Sequence, residues 1–208
     1  YNTLETIRMK AFKANDREVA RAIKLLGKSM RYVLENTGTS FTTLSKELEH
    51  IKVYLDIQKL RFTDKFDSEI EVMEDIDPGK LLILPLLLQP VVENAILHGL
   101  EEKEKEGLIH ILVRKQLGEE ELLCIEVSDN GNGMTEEALA FLQSTIEEKD
   151  ISRNKSIGLY NINQRIKLTY GQKYGVKISS NIEEGTRVSL FIPINRMKET
   201  AVVTANEG

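Results

Sequence analysis

The chain has 208 residues, of which 41% are hydrophobic and 29% charged, and its formal net charge is −5. A mildly acidic chain without a basic tail argues against a nucleic-acid-binding protein, which needs clustered Lys and Arg. The single cysteine, Cys124, excludes an internal disulfide and fits a reducing compartment. The longest uncharged run, Leu81–Val92, is shorter than the roughly 18 apolar residues of a membrane span. The length suffices for one large domain or two small ones.

The first 65 residues predict three helices, because apolar side chains recur at spacings of three and four residues. Asn15 and Glu18 are spaced as a capping box, and Gly38 suits the left-handed position beyond the second helix. The apolar stripes of the second and third helices are Val19, Ile23, Leu26, Met30 and Val33, and Leu44, Leu48, Ile51 and Leu55, respectively. Such stripes are typical of an antiparallel bundle. These helices contain little core, so they either pack on the rest of the chain or dimerise as a four-helix bundle.

The pattern changes near Phe66, where strands and helices begin to alternate. The predicted strands are Glu69–Val72, Ile109–Gln116, Leu122–Ser128, Val176–Ser180 and Val188–Ile192. The predicted helices are Leu84–Leu100, with Pro85 in its first turn, Glu136–Glu147 and Gly158–Tyr170. We expect an α/β domain with a mixed or antiparallel sheet covered by helices on one face, an α+β two-layer sandwich. The expected division is a helical region in residues 1–65, this domain in residues 66–195 and an irregular tail in residues 196–208.

Two polar residues, Glu93 and Asn94, interrupt the apolar segment predicted as a helix. Burying such groups without partners costs several kcal/mol, so their helix face either reaches solvent or lines a polar cavity. An amide oxygen is a hard ligand suited to Mg²⁺, which otherwise takes water and phosphate oxygens. A neighbouring carboxylate could act as a general base or orient water. The pair therefore marks a candidate site.

A glycine-rich turn with the pattern Asp129-x-Gly131-x-Gly133 directly follows a predicted strand. Any strand-ending turn favours these residues, but glycines also let the backbone approach a ligand and leave a carboxylate to accept from an exocyclic amine. The turn is neither a Walker loop nor the Gly-x-Gly-x-x-Gly dinucleotide fingerprint. Farther along, Gly158 begins a predicted helix whose free amides could bind an anion, and Thr186 follows a glycine before the last strand.

The order of these four motifs resembles the boxes of the GHKL ATP-binding family, which includes histidine kinases, type II topoisomerases, mismatch-repair ATPases and Hsp90 chaperones. Three stretches, Glu47–Phe62, Leu84–Ala95 and Gly158–Gly171, narrow the resemblance to LytS/YesM-type sensor histidine kinases. The similarity covers nearly the whole chain, up to about Ile194. It implies the GHKL, or Bergerat, ATP-binding fold preceded by an α-helical dimerisation segment.

The resemblance implies a role for each motif, with ATP and Mg²⁺ as ligands. Asn94 would ligate the Mg²⁺ that bridges the ATP phosphates, and Glu93 would be the catalytic base or proton shuttle. Asp129 would accept a hydrogen bond from the adenine amino group. The other residues that would contact the nucleotide are His98, Gly131, Gly133, Met134, Lys155, Gly158, Leu159 and Thr186.

Three positions depart from the usual pattern of the family. Pro90 stands where many relatives have a second polar residue, and Leu97 stands where many kinases have a phosphate-contacting lysine. Ser156 replaces the first glycine of a Gly-x-Gly pair. We hypothesise that Arg153 or Lys155 supplies the missing positive charge; unchanged ATP affinity and turnover after replacing both with alanine would contradict this.

Members of the family carry the phosphoacceptor in a run resembling His-Phe-Leu-Tyr-Asn, and this chain opens with Tyr1 and Asn2. The resemblance implies a fragment whose acceptor lies just before its first residue. Asn2 would then follow the acceptor by four residues, on the same helical face, and orient water or phosphate there. Among the remaining histidines, we expect His50 to be a solvated helix residue and His110 to be structural, while His98 is a candidate for the pocket wall.

The resemblance implies a bacterial sensor histidine kinase, which transfers the γ-phosphoryl group of ATP to a histidine and then to an aspartate of a response-regulator receiver domain. It implies a homodimer through the N-terminal helices and a cytoplasmic location, with membrane attachment only through upstream segments. This chain is expected to bind ATP without phosphorylating itself at the usual site. The alternatives are a GHKL ATPase and an interaction module without nucleotide; Asn94, Asp129 and Gly133 argue against the second.

Overall fold

The computed structural model of the protein describes residues 2–62, 65–100, 106–118, 120–147 and 157–195. Over these ranges the N-terminal part is helical, and a mixed sheet with helices follows it. The expected fold class is therefore confirmed. None of the helices in these ranges combines the length and the apolar character needed to cross a membrane.

Three helices form the N-terminal part, as the apolar spacing predicts: α1 (Asn2–Lys13), α2 (Arg17–Asn36) and α3 (Leu44–Arg61). The cap of α2 lies one residue later than predicted. The side chain of Asp16, not that of Asn15, accepts a hydrogen bond from the amide of Val19 at 3.0 Å. Asn15 instead takes a left-handed backbone conformation with φ of 61°, at the reversal between α1 and α2. Gly38, with φ of 87°, occupies the predicted left-handed position after α2.

The apolar stripes of α2 and α3 have different surroundings. All four stripe residues of α3 are buried in the main hydrophobic core, together with residues of the sheet. In α2, by contrast, Val19, Leu26 and Met30 are exposed by 44%, 44% and 43%. The sequence left open whether these helices pack on the same chain or on a second copy. In the structure α3 packs on the sheet, whereas α2 packs on α1 and α3 and leaves part of its apolar stripe exposed.

Seven strands make up two sheets: β1 (Thr42–Thr43), β2 (Phe66–Val72), β3 (Leu82–Ile83), β4 (Gly107–Gln116), β5 (Leu122–Asp129), β6 (Gly175–Asn181) and β7 (Gly185–Pro193) within the described ranges. β1 and β3 form a short antiparallel pair that ties the start of α3 to the segment before the next helix. The main sheet has the order β2–β4–β5–β7–β6. Among the described strands of this sheet, only β2 and β4 are parallel neighbours, which confirms the predicted mixed sheet.

Helices cover one face of the main sheet. They are α3, α4 (Gln89–Asn94), α5 (Glu136–Glu147) and α6 (Ile157–Tyr170). Buried residues alternate along β4 with exposed or half-buried ones, so the opposite face of the sheet is more polar and open. This arrangement is the predicted two-layer sandwich, with the core between the sheet and the helices.

The helix predicted at Leu84–Leu100 is wrong at its start, whereas helical backbone continues to Gly99, one residue before the predicted end. α4 begins only at Gln89, so that Pro90, rather than Pro85, lies in its first turn. After α4, Ala95–Gly99 form a π-helical turn, a rare widening that is frequent at functional sites.

The late start of α4 has a tertiary cause. The buried carboxylate of Glu47 on α3 accepts hydrogen bonds from the amides of Leu86, Leu87 and Leu88, at 2.8 to 3.0 Å. Leu86 has φ of 54°, which no right-handed helix permits. Apolar periodicity cannot reveal this, because the acceptor comes from a distant part of the sequence.

Candidate functional site

A cavity of about 290 Å³ lies between the main sheet and the helices α4, α5 and α6. Seven of the residues predicted to contact a nucleotide line it: Asn94, His98, Asp129, Gly133, Met134, Leu159 and Thr186. Most of the remaining lining is apolar, including Val91, Ala95, Val127, Leu142, Ile178 and Val188. A largely apolar cavity with few polar groups suits a flat, uncharged ring that is fixed by one or two hydrogen bonds.

Asp129 is the buried carboxylate of this cavity. It ends β5 and is only 8% exposed. Its Oδ1 accepts hydrogen bonds from the amide of Gly131, at 2.9 Å, and from the amide of Thr186, at 3.3 Å. These bonds fix the orientation of the carboxylate at the cavity wall. A carboxylate held in this way can accept a hydrogen bond from an amino group of a ligand.

Glycines allow the backbone to pack tightly around Asp129. A Cβ built on Gly131 would lie 1.9 Å from the carbonyl oxygen of Gly99, and one on Gly99 would lie 2.5 Å from the carboxyl group of Asp129. Gly133 has φ of 66°, and a Cβ there would lie 1.8 Å from the carbonyl oxygen of Asn181. Side chains larger than hydrogen therefore do not fit at these positions.

Glu93 and Asn94 lie on different faces of α4, because consecutive helical residues are about 100° apart around the axis. Asn94 lines the cavity. Glu93 faces α3 instead: it accepts a hydrogen bond from Nε2 of Gln89 at 2.8 Å. Burial and the charge of Glu93 raise the pKa of Tyr54, on α3, to about 12. The cavity and the carboxylate thus occupy two sides of one short helix.

The donor set fits a Mg²⁺ ion that enters with a phosphate ligand. Within the described ranges there is no cluster of three or more His, Cys, Asp or Glu side chains that could enclose a metal ion. Mg²⁺ does not need such a cluster, since it binds few protein oxygens and keeps water and phosphate oxygens as its other ligands. The Asn94 amide lies at the cavity wall, with Nδ2 4.0 Å from the position of a Cβ on Gly158.

Several predicted residues lie elsewhere or outside the described residues. Lys155, Arg153 and Ser156 are not among the residues that the structure describes, and neither is the side chain of Asn2. Gly131 packs behind the cavity wall, and Gly158, the second residue of α6, lies beside Asn94.

Two histidines have partners that the sequence did not indicate. The expectation that His50 is solvated is wrong: it is 3% exposed, because α3 packs against both α2 and α4. His110 lies on β4 and pairs with Glu71 on β2, with 3.3 Å between Nε2 and Oε2. His98, at the end of the π-helical turn, lies at the cavity wall as the spacing from Asn94 suggests.

Sequence reasoning missed a set of polar residues around α4. Gln89 links His50 to Glu93, and Glu47 holds the segment before α4. On the other side of that segment, Arg165 of α6 donates to the carbonyl oxygen of Pro85 at 2.8 Å. The sequence did contain a sign of these contacts, because a charged residue on the apolar face of a predicted helix needs a partner. Glu47 is such a residue, since it lies on the same face of α3 as Leu44 and Leu48.

Two protein-family profiles match the chain. The profile described as "Histidine kinase" matches residues 1–66, and that described as "Histidine kinase-, DNA gyrase B-, and HSP90-like ATPase" matches residues 83–196. The sensor histidine kinase YesM of Bacillus subtilis is 33% identical over 193 residues, which are 93% of this chain and 31% of YesM. The sensor protein LytS of Oceanobacillus iheyensis is 34% identical over 188 residues, 88% of this chain and 31% of LytS. The chain thus spans about a third of the length of these curated relatives.

A solved structure of the histidine kinase ThkA in complex with the response regulator protein TrrA has a similar fold. The TM-score is 0.53 at 16% sequence identity, and the match covers 88% of this chain and 52% of the ThkA chain. At this identity the likeness concerns the fold.

Proposed function

This chain belongs to the family of histidine kinase-, DNA gyrase B- and HSP90-like ATPases, and its relatives are LytS- and YesM-type sensor histidine kinases. We propose that it forms the ATP-binding catalytic part of such a kinase. One observation carries the proposal: a single cavity collects Asn94, Asp129, Leu159 and Thr186, which come from four motifs far apart in the sequence. The match of residues 1–66 to the histidine kinase profile favours a kinase over an ATPase of the chaperone or topoisomerase class.

In the proposed binding mode, the apolar part of the cavity holds the adenine ring. Asp129 accepts a hydrogen bond from the amino group of adenine, since its carboxylate is already oriented by two backbone amides. Thr186 closes the polar edge of the ring, and Met134 and Leu159 supply apolar contacts from either side of the cavity. Gly133, in the turn after β5, lines the cavity and lets this turn pack closely against the backbone of Asn181.

The phosphates extend along α4 toward the start of α6 in this proposal. Asn94 holds Mg²⁺ through its amide oxygen, and the backbone of Gly158 lies next to the phosphate oxygens. When bound, Mg²⁺ neutralises charge on the phosphates. His98 lines the same wall, and Lys155 supplies a positive charge from the segment before α6.

The proposed reaction transfers the γ-phosphoryl group of ATP to a histidine nitrogen. A nitrogen–phosphorus bond forms while the bond between the γ-phosphorus and the bridging oxygen breaks, and ADP leaves with the electron pair of that bond. Glu93 takes the proton of the attacking imidazole, from its position on the side of α4 that faces α3. The phosphoryl group then passes to an aspartate of a response-regulator receiver domain, a partner class supported by the complex of the structurally similar ThkA.

We further propose the division of the chain into a helical region in residues 1–65 and an ATP-binding unit in residues 66–195. The helical region would dimerise through the exposed apolar face of α2, which carries Val19, Leu26 and Met30. Asn2, on α1, would lie near the phosphorylated histidine. The relatives are bacterial proteins, and we place this reaction in the cytoplasm, where ATP is available.

Calorimetry with a non-hydrolysable ATP analogue tests nucleotide binding. We expect saturable binding with Mg²⁺ and much weaker binding after EDTA is added. The matched control is Asp129→Asn, which keeps an oxygen for the amides of Gly131 and Thr186 but presents an amide to adenine. This variant should lose about 2 kcal/mol of binding free energy, roughly 30-fold in affinity. Lack of binding by the unaltered chain would refute the proposed function.

A second experiment tests kinase chemistry. For this experiment the chain is extended at its N-terminus by a segment with the acceptor histidine of the family. The extended protein is then incubated with γ-labelled ATP. We expect acid-labile label on the protein and its transfer to a receiver domain. Release of inorganic phosphate without labelled protein would favour an ATPase instead.

A further inference from the structure

A chain of two partly buried hydrogen bonds connects α3 to the carboxylate of Glu93. His50 on α3 is 3% exposed, and its Nε2 lies 2.8 Å from Oε1 of Gln89. Gln89 begins α4, and its Nε2 donates to Oε1 of Glu93, one helical turn later, at 2.8 Å. Two side chains therefore join a helix of the N-terminal region to the carboxylate beside the cavity.

The direction of these bonds assigns a single tautomer to His50. A carboxylate only accepts, so Gln89 must turn its NH₂ group toward Glu93 and its carbonyl oxygen toward His50. His50 must then donate from Nε2. Its Nδ1 is a buried nitrogen without a hydrogen-bond partner in the described part of the chain, which suits the unprotonated nitrogen of the neutral ring.

The ring of His50 is also fixed from its other face. It stacks on Tyr32 of α2, with ring centroids 4.2 Å apart and an angle of 14° between the planes. The hydroxyl of Tyr32 in turn donates to Glu47, and burial and the Glu47 charge raise the pKa of Tyr32, so it remains a donor. Contacts from α2 and α3 thus fix the position of the imidazole in addition to its hydrogen bond with Gln89.

We propose that His50 is a positioning residue: through Gln89 it holds the Glu93 carboxylate in the orientation that receives the proton of the attacking imidazole. This inference rests on the proposed function, in which Glu93 is the base. It assigns α3 a part in the chemical step without any contact with the nucleotide, since Asn94, on the other face of α4, lines the cavity. Loss of His50 should therefore slow phosphoryl transfer while leaving ATP affinity nearly intact.

Nitrogen NMR on the chain tests the hydrogen bonds directly. Long-range proton–nitrogen spectra of ¹⁵N-labelled protein distinguish the two imidazole tautomers, and His50→Gln identifies the signals among those of the three histidines. We expect His50 as the Nε2–H tautomer. Gln89→Leu, which removes the acceptor, should change its nitrogen shifts; an Nδ1–H tautomer or unchanged shifts in Gln89→Leu would overturn the proposal.

Two substitutions at His50 separate its hydrogen bond from its packing. His50→Phe keeps an aromatic ring to stack on Tyr32 but has no donor for Gln89, whereas His50→Gln keeps a donor near the place of Nε2. In the protein that carries the acceptor histidine, we expect His50→Phe to lose about tenfold or more in the transfer rate at saturating ATP. Its ATP affinity should stay within about twofold, and His50→Gln should recover most of the rate.

Three results would overturn the positioning role: a normal rate in His50→Phe, parallel losses of rate and ATP affinity, or a rate in His50→Gln as low as in His50→Phe. If His50→Phe does not fold, Gln89→Leu is measured in the same way and judged by the same criteria. Failure of the proposed function is distinguishable, because the unaltered protein would then lack transfer activity while the tautomer of His50 could still be determined.

Discussion

The surroundings of Asp129 depend on the absence of side chains at its neighbours. Gly99 belongs to the π-helical turn and packs against the carboxylate of Asp129. Gly131 belongs to the turn after β5 and packs against the backbone of Gly99. A single methyl group at Gly99 would overlap the carboxylate that we assign to adenine. These glycines therefore set the shape of the cavity at atomic scale.

Gly133→Ala should destabilise the protein far more than Gly38→Ala. Both residues have left-handed backbones, with φ of 66° and 87°, which costs alanine about 1 kcal/mol. At Gly38 no atom of the described residues lies within 4 Å of the added Cβ, whereas at Gly133 it would meet the carbonyl oxygen of Asn181 at 1.8 Å. We expect losses in unfolding free energy of about 1 kcal/mol for Gly38→Ala and about 3 kcal/mol for Gly133→Ala, measured by urea denaturation. Equal losses would show that the contact with Asn181 is relieved without cost.

The thiol of Cys124 should be unreactive in the folded protein. Burial, and secondarily the charge of Glu126, raise its pKa from 9.0 to about 11. At pH 8 only about a thousandth of such a thiol is ionised, and only the thiolate reacts with iodoacetamide. Labelling followed by mass spectrometry should be slow in buffer and fast in urea.

The raised pKa of Cys124 also predicts how the stability of the protein changes with pH. As the pH rises from 9.0 toward about 11, the thiol of the unfolded chain ionises first, so the contribution of Cys124 to stability falls over this window. The unfolding free energy of Cys124→Ala should therefore fall less between these pH values than that of the unaltered protein. A steep alkaline loss of equal size in both proteins would contradict the assignment.

At the scale of elements, the segment before α4 is held by side chains from two other helices. Glu47 of α3 accepts from three of its amides, and Arg165 of α6 donates to its carbonyl oxygens. The segment joins the short pair β1–β3 to the helix that carries Asn94. The position of α4 is therefore tied to α3 and α6 rather than to its own six residues, which are too few for an independent helix.

Glu47→Gln should be among the costly single substitutions in α3. Glu47 has no exposed surface, and it accepts from the backbone of Leu86, Leu87 and Leu88 as well as from Tyr32. An amide replaces one of its acceptor oxygens with an NH₂ group facing other donors, and we expect a loss of about 3 kcal/mol in unfolding free energy. Tyr32→Phe, which removes one donor, should lose about 1 kcal/mol in the same urea titration. If Glu47→Gln loses no more unfolding free energy than Tyr32→Phe, the role of the three hydrogen bonds from backbone amides is contradicted.

At the scale of the whole molecule, α3 belongs to the same hydrophobic core as the sheet. Leu44 and Ile51 have no exposed surface and share that core with Leu88, Val92 and strand residues. Lys59 near the end of α3 also pairs with Asp67 on β2, with 2.6 Å between Nζ and Oδ1. α3 and the main sheet are thus connected by packing as well as by the chain.

A fragment of residues 66–195 should therefore fold poorly, whereas one of residues 40–195 should fold cooperatively. The shorter fragment loses the four buried stripe residues of α3, worth about 2 kcal/mol each, as well as the Glu47 carboxylate. Their sum approaches the net stability of a typical domain. Thermal unfolding followed by circular dichroism compares the two. Cooperative unfolding of both fragments at the same temperature would show that the ATP-binding unit is independent of α3.

The local pattern of the sequence was enough for the helices α1 to α3, the long strands and the two-layer arrangement. Apolar spacing depends on backbone geometry that each segment adopts for itself, so it is visible without tertiary structure. The site residues came instead from the resemblance of the polar motifs to those of the GHKL family, and seven of the residues that it implied line one cavity.

Tertiary contacts decided the features that no local pattern contains. α4 starts five residues later than its apolar run because Glu47, far away in the sequence, takes up the amides before it. His50 is buried because α2 and α4 pack on the polar side of α3. Glu93 faces α3 while Asn94 lines the cavity, a separation that depends on where α4 begins and what it packs against. A sequence shows which groups need partners, whereas only the packed chain determines which partners they find.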